Sequence, residues 1–185
     1  FSWTGLAVPN DSVKRWQEDI EYYSEQLKSK HIQAFHTLPE SDFDSMVHAL
    51  KFDLPSLSEA AIETRLMKIT SAIGDGHTSY FMMSGPHKHY PLRFKFFEEK
   101  LMIIASTIEY EHLIGSELIS INDLTVPELY ELIGDYLPGV ANKYSQQIRF
   151  EFYLTLEKLL RGLQTVEKDQ AAKFVTQTHG LYTTT

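Results

Sequence analysis

The sequence contains no cysteine. This absence excludes disulfides, thiolate metal sites and cysteine nucleophiles, and it leaves the redox compartment open, because cysteine-free chains work in any compartment. Basic residues are few: 17 lysines and arginines stand against 25 acidic side chains, which gives a formal net charge of -8. A field of that sign repels phosphate backbones and anionic lipid surfaces, so we expect neither nucleic acid nor a membrane surface as a partner.

Long hydrophobic runs, internal repeats and low-complexity segments are also missing. No apolar run approaches the roughly 20 residues that cross a bilayer, so no membrane insertion is expected. The chain begins with Phe1 and not with methionine, and residues 1–9 are too short and too polar to be a signal peptide. We therefore expect a chain that was processed or trimmed behind a leader, in a secreted or periplasmic protein.

The composition of the 185 residues is that of an ordinary globular protein, with 43% hydrophobic and 23% charged residues. A chain of this length can bury a real core, either as one domain or as two small subdomains that share an interface. We therefore expect a folded chain of one or two compact units.

Three helices are predicted in the first 75 residues, because apolar residues recur there at spacings of three and four. The first covers residues 10–29 and the second runs from residue 39 to before Pro55. For the third, Ser56 and Glu59 have the spacing of a capping box. The apolar positions are Val13, Trp16, Ile20, Tyr23 and Leu27, then Phe43, Met46, Val47 and Leu50, then Ile62, Leu66, Ile69 and Ile73.

Beyond Gly76 the apolar period changes from that of a helix to that of a strand. Residues 90–105 predict a hairpin, and residues 116–121 predict a further strand. A helix is predicted from Thr125 through about Tyr136, with a proline tolerated in its first turn. These elements make the middle of the chain rich in β structure.

The last part of the chain predicts one long helix over residues 142–163. Its apolar stripe consists of Tyr144, Ile148, Phe152, Leu156 and Leu159. Residues 173–176 suit a strand, and residues 182–185 have the character of a cut or disordered tail. The fold class is therefore α+β.

The segment that most resembles a functional site is the turn after the third helix, over residues 73–80. Gly74, Asp75 and Gly76 end the helix and deliver His77 to the start of a predicted strand. A histidine held this rigidly suits a general base, because its pKa lies near neutrality without perturbation. The alternative interpretation is local: Gly74 caps the helix, Asp75 and Gly76 make a turn, and His77 is simply the next residue.

This turn resembles that of the tail-specific, or carboxyl-terminal-processing, serine peptidases and their tricorn-like relatives, which carry a helix, then Asp-x-His-Thr, then a strand. Asp75, His77 and Thr78 match that pattern. The resemblance covers about residues 10–160 and includes the three preceding helices with Trp16 and Asp19 and the strand over residues 90–94. It also includes residues 115–123, which are similar to a strand and turn of the family's PDZ-like module.

The resemblance implies three parts: a helical N-terminal subdomain over residues 1–76, a β-rich, PDZ-like subdomain over residues 77–140, and a helix with a partly ordered tail over residues 141–185. The tail would lead to a missing C-terminal catalytic domain, which in the family carries the nucleophilic serine. The expected partners are that domain and a polypeptide substrate; the oligomeric state stays open.

The family also sets the expected role of the turn. In tricorn-like members the matching histidine is the base of a serine-histidine-glutamate arrangement, whereas in the tail-specific branch a serine-lysine dyad does the work. His77 is thus a candidate general base, with Asp75 and Thr78 in support. This chain alone should be inactive, and whether the full protein is an active serine peptidase stays open.

Other histidines and several aromatic residues are further candidates for a site. His87 and His89 could clamp a metal, but a solvated loop is the better interpretation because no third ligand lies nearby in sequence. His31 and His36 are interpreted as surface residues. No cofactor and no metal are expected. The aromatic residues Tyr90, Phe94, Phe96 and Phe97 could line a peptide groove, but core positions on a strand are the favoured interpretation.

Two other functions remain open beside the peptidase fragment. One is an extracellular module that binds peptide or glycan without catalysis, and the other is a degenerate peptidase relative that keeps the fold without the nucleophile. A serine in a glycine-containing strand-to-helix turn downstream of Thr185, accompanied by a lysine or glutamate, would favour the enzyme, whereas a stop codon near Thr185 would favour the binding module.

Overall fold

The computed structural model describes residues 10–80, 87–167 and 169–185. The first part of the chain is helical, as predicted, and its helices bury their apolar faces against one another. Ile20 and Phe43 are fully buried in this first core. The helices are α1 (Asn10–Lys30), α2 (Glu40–Asp53) and α3 (Glu59–Ala72).

The start of α3 differs from the prediction. Ser58 and not Ser56 is the N-cap, and its hydroxyl accepts the N–H of Ala61 at 3.2 Å. Ser56 lies instead in a short 3-10 turn (Leu54–Ser56), which removes it from the capping position. Gly74, with φ +76, is the left-handed residue after the helix, as expected.

The second half of the chain forms an antiparallel sheet. The order across it is β1, β2, β3, β5 and β6, and the short β4 pairs with β3. The predicted hairpin over residues 90–105 is confirmed as β1 and β2, and the predicted strand over residues 116–121 is β3. The strands are β1 (Leu92–Phe97), β2 (Lys100–Ser106), β3 (Glu117–Ile121), β4 (Leu124–Thr125), β5 (Phe174–Thr178) and β6 (Leu181–Thr184).

Three helices pack on the sheet and enclose the second core: α4 (Val126–Gly134), α5 (Lys143–Tyr153) and α6 (Glu157–Gly162). Helix α4 confirms the prediction, and Thr125 with Glu128 forms a capping box at its start.

The predicted single helix over residues 142–163 is wrong, because the chain leaves the helix between α5 and α6. The backbone there pairs with the segment before β1: the Tyr90 N–H donates to the Thr155 carbonyl oxygen at 2.8 Å, and Leu156 forms a bridge with His89. Burial of Leu156 stabilises this break, since the residue is fully enclosed.

Helix α5 also turns a different face to the core than predicted. Tyr144 and Ile148 are 75% and 60% exposed, whereas Phe150 and Tyr153 are buried. Phe150 packs against Tyr130 with ring centroids 5.1 Å apart, and this aromatic contact favours the observed rotation of α5.

The end of the chain is more regular than predicted. Residues 173–176 lie largely in β5, as expected, but residues 182–185 are not a disordered tail, because Leu181–Thr184 pairs with β5 along its length. His179 and Gly180 both have positive φ, at 49° and 83°, which is the backbone of a tight two-residue hairpin turn.

The α+β fold class is confirmed, with helices first and a helix-covered antiparallel sheet after them. Tyr80 packs against both cores, and α3 contacts α6 across them. In the part of the chain that the structure describes, no helix is both long and apolar enough to span a membrane. The division at residues 76 and 140 stays a prediction.

Candidate active site

The turn that carries His77 is built by the end of α3. The Gly74 N–H donates to the Ser71 carbonyl oxygen at 3.0 Å, and Thr37 fills the space beside the Gly74 Cα, where a Cβ would lie 3.3 Å from the threonine side chain. Asp75 then closes the turn, because its Oδ1 accepts the His77 N–H at 3.2 Å. The predicted strand does not begin here: His77 to Tyr80 have no strand pairing.

The Asp75 carboxylate is the centre of this turn. Its Oδ2 accepts the Thr78 hydroxyl at 2.8 Å and faces His31 Nε2 at 3.3 Å. The bonds from Thr78 and from the His77 N–H lower the pKa of Asp75 to about 2, and a weaker contribution comes from His31. Asp75 is therefore a carboxylate at every physiological pH.

His31 contradicts the interpretation of this residue as a surface histidine. Its side chain is only 19% exposed, and its Nε2 lies 2.8 Å from Thr78 Oγ1. Since the Thr78 hydroxyl proton goes to Asp75, the hydroxyl oxygen accepts from His31 Nε2–H, and His31 Nδ1 is left to accept the Gln33 N–H at 3.2 Å. His31 thus ties the end of α1 to the turn.

The side chain of His77 itself points into solvent and is 99% exposed. Its Nδ1 lies 3.8 Å from Asp75 Oδ1, which is too far for a hydrogen bond. Within the described ranges no hydroxyl bonds the His77 ring. Asp75, His77 and Thr78 lie together in the turn, and their catalytic role stays a prediction.

A second loop supports the turn from the other side. A Cβ built on Gly139 would lie 2.6 Å from Gly76 Cα, so the α4–α5 loop and the turn touch through backbone alone. The Ser71 hydroxyl donates to the Leu137 carbonyl oxygen at 2.7 Å and links α3 to the same loop. Gly139 has φ +56, a left-handed backbone conformation that is strained for any residue with a side chain.

Tyr80 anchors the chain beyond His77. It packs against both cores, and burial together with Glu63 and Asp19 raises its pKa to about 12. The ring therefore stays neutral and holds the segment in place between the helices and the sheet.

The Asp75 titration gives a first prediction. We expect the Asp75 carboxyl carbon to titrate with a midpoint near pH 2 in an NMR experiment, and the His77 amide resonance to follow it. Because the folded pKa lies below the unfolded value, the carboxylate stabilises the fold above pH 3.8, and this contribution is lost as the pH falls toward about 2. In Asp75→Asn that acid dependence should shrink, whereas in the exposed control Asp169→Asn it should remain. A midpoint at 3.8 would contradict the hydrogen-bonded turn.

The role of His31 gives a second prediction. We expect His31→Ala to lower the free energy of unfolding by about 1 kcal/mol, because a partly buried hydrogen bond to Thr78 is lost. Amide exchange at Thr78 should accelerate in the variant. The matched control is His36→Ala, since His36 is exposed and bonds only the neighbouring Gln33 carbonyl oxygen. Equal effects of the two variants would show that His31 does not hold the turn.

The other candidate histidines and aromatic residues do not contact the His77 ring. His89 bonds Thr155 Oγ1 at 2.9 Å, and no cluster of three potential metal ligands occurs among the described residues. Phe94 is a core residue, as favoured, but Phe97 is 57% exposed. His36 is exposed, as predicted.

Sequence reasoning missed His31, Gly139 and Tyr80. Neither His31 nor Gly139 carries a local signal, because their roles arise from contacts with residues more than 40 positions away. Tyr80 does carry a local signal, because it is the first aromatic residue after the turn.

Comparison with known proteins finds no match at the sequence level: no protein-family model matches the chain, and no curated protein matches it significantly. Solved structures do match, and they define the fold as one found within a serine protease.

That protease is CPAF, a chlamydial protein. The chain is similar to mature CPAF complexed with lactacystin at a TM-score of 0.64 and 10% identity, and to a serine-to-alanine variant of CPAF at 0.61 and 11%. A further structure of mature CPAF gives 0.56 and 10%. In each case 94% of this chain is covered, but only 33% or 34% of CPAF, so the chain spans about a third of the length of these proteins. At this identity the likeness is one of fold.

Proposed function

We propose that this chain is the N-terminal part of a serine endopeptidase of the tail-specific or tricorn-like kind, which hydrolyses peptide bonds and is inactive without its C-terminal catalytic domain. The observation that carries the proposal is the fold likeness to the serine protease CPAF over 94% of the chain. The span of about a third of CPAF supports a missing domain as the main partner, with a polypeptide as substrate. We also propose a secreted or periplasmic location.

The geometry of His77 suits a general base that acts on another domain. Its ring is fully exposed, while its backbone is fixed by Asp75 on one side and by the Gly76–Gly139 contact on the other. A base of this kind takes the proton of a serine hydroxyl as the hydroxyl attacks the peptide carbonyl, and returns it to the leaving amine. His77 would do this once the second domain brings a serine to its ring.

Asp75 does not play the part of the carboxylate that orients a catalytic histidine. Its oxygens already accept bonds from the His77 N–H, Thr78 and His31, and Oδ1 lies 3.8 Å from His77 Nδ1. We assign it to the shape and charge of the turn. The orienting carboxylate of a serine-histidine-glutamate arrangement would then come from the catalytic domain, whereas a serine-lysine dyad would leave His77 without a catalytic role.

The test uses the longest polypeptide that contains this chain and its downstream sequence. A serine-reactive fluorophosphonate probe should label the wild type, and labelling should be lost in His77→Ala. It should be kept in His36→Ala, which removes an exposed histidine whose ring bonds only the Gln33 carbonyl oxygen. Unchanged labelling in His77→Ala would support a serine-lysine mechanism. No labelling of a folded wild-type protein would reject the serine peptidase.

One feature favours a second candidate, a module that binds extracellular peptide or glycan without catalysis. A shallow apolar groove of about 480 Å³ lies on the sheet surface between β1, β2 and the loop before β3. Phe97, Ile104 and Ile114 are each about half exposed at its wall. Binding of a peptide library by the isolated chain, lost in Ile104→Ser, together with no fluorophosphonate labelling of the longer protein, would favour this function.

A further inference from the structure

The guanidinium of Arg149 lacks the partners that a partly buried cation normally has. Its Nε is buried without a hydrogen-bond partner, and Nη2 makes one long bond to the Gly139 carbonyl oxygen at 3.4 Å. Among the residues that the structure describes, no carboxylate pairs with Arg149, although the chain has 25 acidic against 17 basic side chains. Nη1 has neither a protein partner nor full burial, so it reaches solvent.

This arrangement costs free energy in the isolated chain. Burial of one edge of the guanidinium removes water from the charge, and at Nε no protein group replaces that water. Buried polar atoms in native proteins are nearly always satisfied, so an exception requires an explanation. A bound ion or a functional role is among the explanations for such an unsatisfied group.

Arg149 lies beside the turn of the candidate active site. A Cβ built on Gly139 would be 3.2 Å from Arg149 Nη2 and 2.6 Å from Gly76 Cα. Arg149, Gly139 and Gly76 therefore meet around one point, and Gly76 directly precedes His77. A ligand on the open edge of Arg149 would be a neighbour of the His77 turn.

We propose that Arg149 binds a carboxylate group next to the His77 turn. The two Nη groups of a guanidinium form a planar fork that matches the two oxygens of a carboxylate, and partial burial strengthens such a pair relative to one in water. The site itself rests on the geometry of Arg149. That its carboxylate belongs to a polypeptide rests on the proposed function, and two sources fit: the C-terminus of a substrate, or an acidic side chain of the catalytic domain.

The test is an NMR titration of the isotopically labelled chain with sodium acetate, with sodium chloride as the reference for ionic strength. Acetate should shift the Arg149 Nε–H resonance and the amides of Gly76 and Gly139 in a saturable way. Arg149→Gln should weaken the apparent affinity by roughly tenfold or more, and Arg149→Lys should weaken it less, because lysine keeps the charge but loses the fork. Shifts that equal those with chloride, or that persist in Arg149→Gln, would overturn the proposal.

The matched control is Arg15→Gln, which removes the same charge from an exposed position on α1. Arg15 lies 16 residues before His31 on that side of the turn, which is about 24 Å of helix, so acetate binding should be unchanged. If Arg149→Gln does not fold, the comparison of Arg149→Lys with Arg15→Gln decides the question, and equal affinity in those two variants would reject the site.

Peptides distinguish the two sources of the carboxylate. Binding by a peptide with a free C-terminus but not by its amidated form would assign the site to a substrate end. Equal binding by an amidated peptide with an internal glutamate would assign it to a side chain, as from the catalytic domain. These peptide-binding measurements do not depend on fluorophosphonate labelling. The carboxylate site and the peptidase proposal can therefore be rejected independently of each other.

Discussion

Replacement of Gly162 by alanine should destabilise the protein by about 2 kcal/mol, although alanine is the better helix former. Gly162 ends α6 where that helix crosses α3. A Cβ there would overlap the Ala60 carbonyl oxygen and the Thr64 hydroxyl, and would lie 2.8 Å from Thr64 Cβ. The gain in helix propensity is roughly 1 kcal/mol, which is smaller than the cost of pushing two packed helices apart. Urea unfolding of the chain measures the difference.

The control for this prediction is Gly134→Ala at the end of α4. A Cβ on Gly134 would meet only Gln146 Nε2 at 3.0 Å, the far end of a flexible side chain that can move away. The free energy of unfolding of Gly134→Ala should therefore change little or rise slightly. Thr64→Ala should rescue part of the Gly162→Ala loss, because it removes the overlapping hydroxyl but leaves the Ala60 carbonyl oxygen. A neutral Gly162→Ala would mean that α3 and α6 separate easily.

The helices of the first core could be predicted from sequence because their signal is local. Ile20 and Phe43 lie on stripes with helical spacing, and each stripe is long enough to fix the rotation of its helix. The capping residue of α3 could not be chosen with the same certainty, since Ser56 and Ser58 both precede the helix and only the 3-10 turn decides between them.

The break between α5 and α6 could not be predicted because its cause is distant in sequence. The bridge between His89 and Leu156 joins residues 67 positions apart, and the periodic pattern continues across it. The same limit explains the exposed Tyr144 and Ile148: a helical stripe shows which residues share a face, but Phe150 and its aromatic neighbours determine which face is buried.

The candidate site divides in the same way. The turn from Gly74 to Thr78 could be predicted because glycine and aspartate have strong local preferences, and Gly74 indeed has the left-handed backbone. His31 and Arg149 could not, because His31 contacts the turn from just after α1 and Arg149 lies beside the turn on α5. The sequence indicates the histidine, whereas the groups that fix its position and charge environment follow only from the three-dimensional contacts.

Replacement of Gly139 by alanine should have the largest effect on the turn itself. The new Cβ would lie 2.6 Å from Gly76 Cα and 3.1 Å from its carbonyl oxygen, and φ +56 adds strain for any side chain. Strain of about 1–2 kcal/mol and a backbone overlap of similar size give an expected loss of about 2–4 kcal/mol. Chemical unfolding measures this loss, and the His77 amide resonance should shift because the turn must move away.

Gly180→Ala separates the two causes of that loss. Gly180 has φ +83 but no atom within 4 Å of a built Cβ, so its substitution costs only the backbone strain, about 1 kcal/mol. The excess in Gly139→Ala then measures how firmly the α4–α5 loop presses on the turn. If the proposed function is correct, fluorophosphonate labelling of the longer protein should fall in Gly139→Ala and remain in Gly180→Ala, since only the first displaces His77. Equal losses of stability in both variants would show that the loop yields, and that the position of His77 is set by Asp75 and His31 instead.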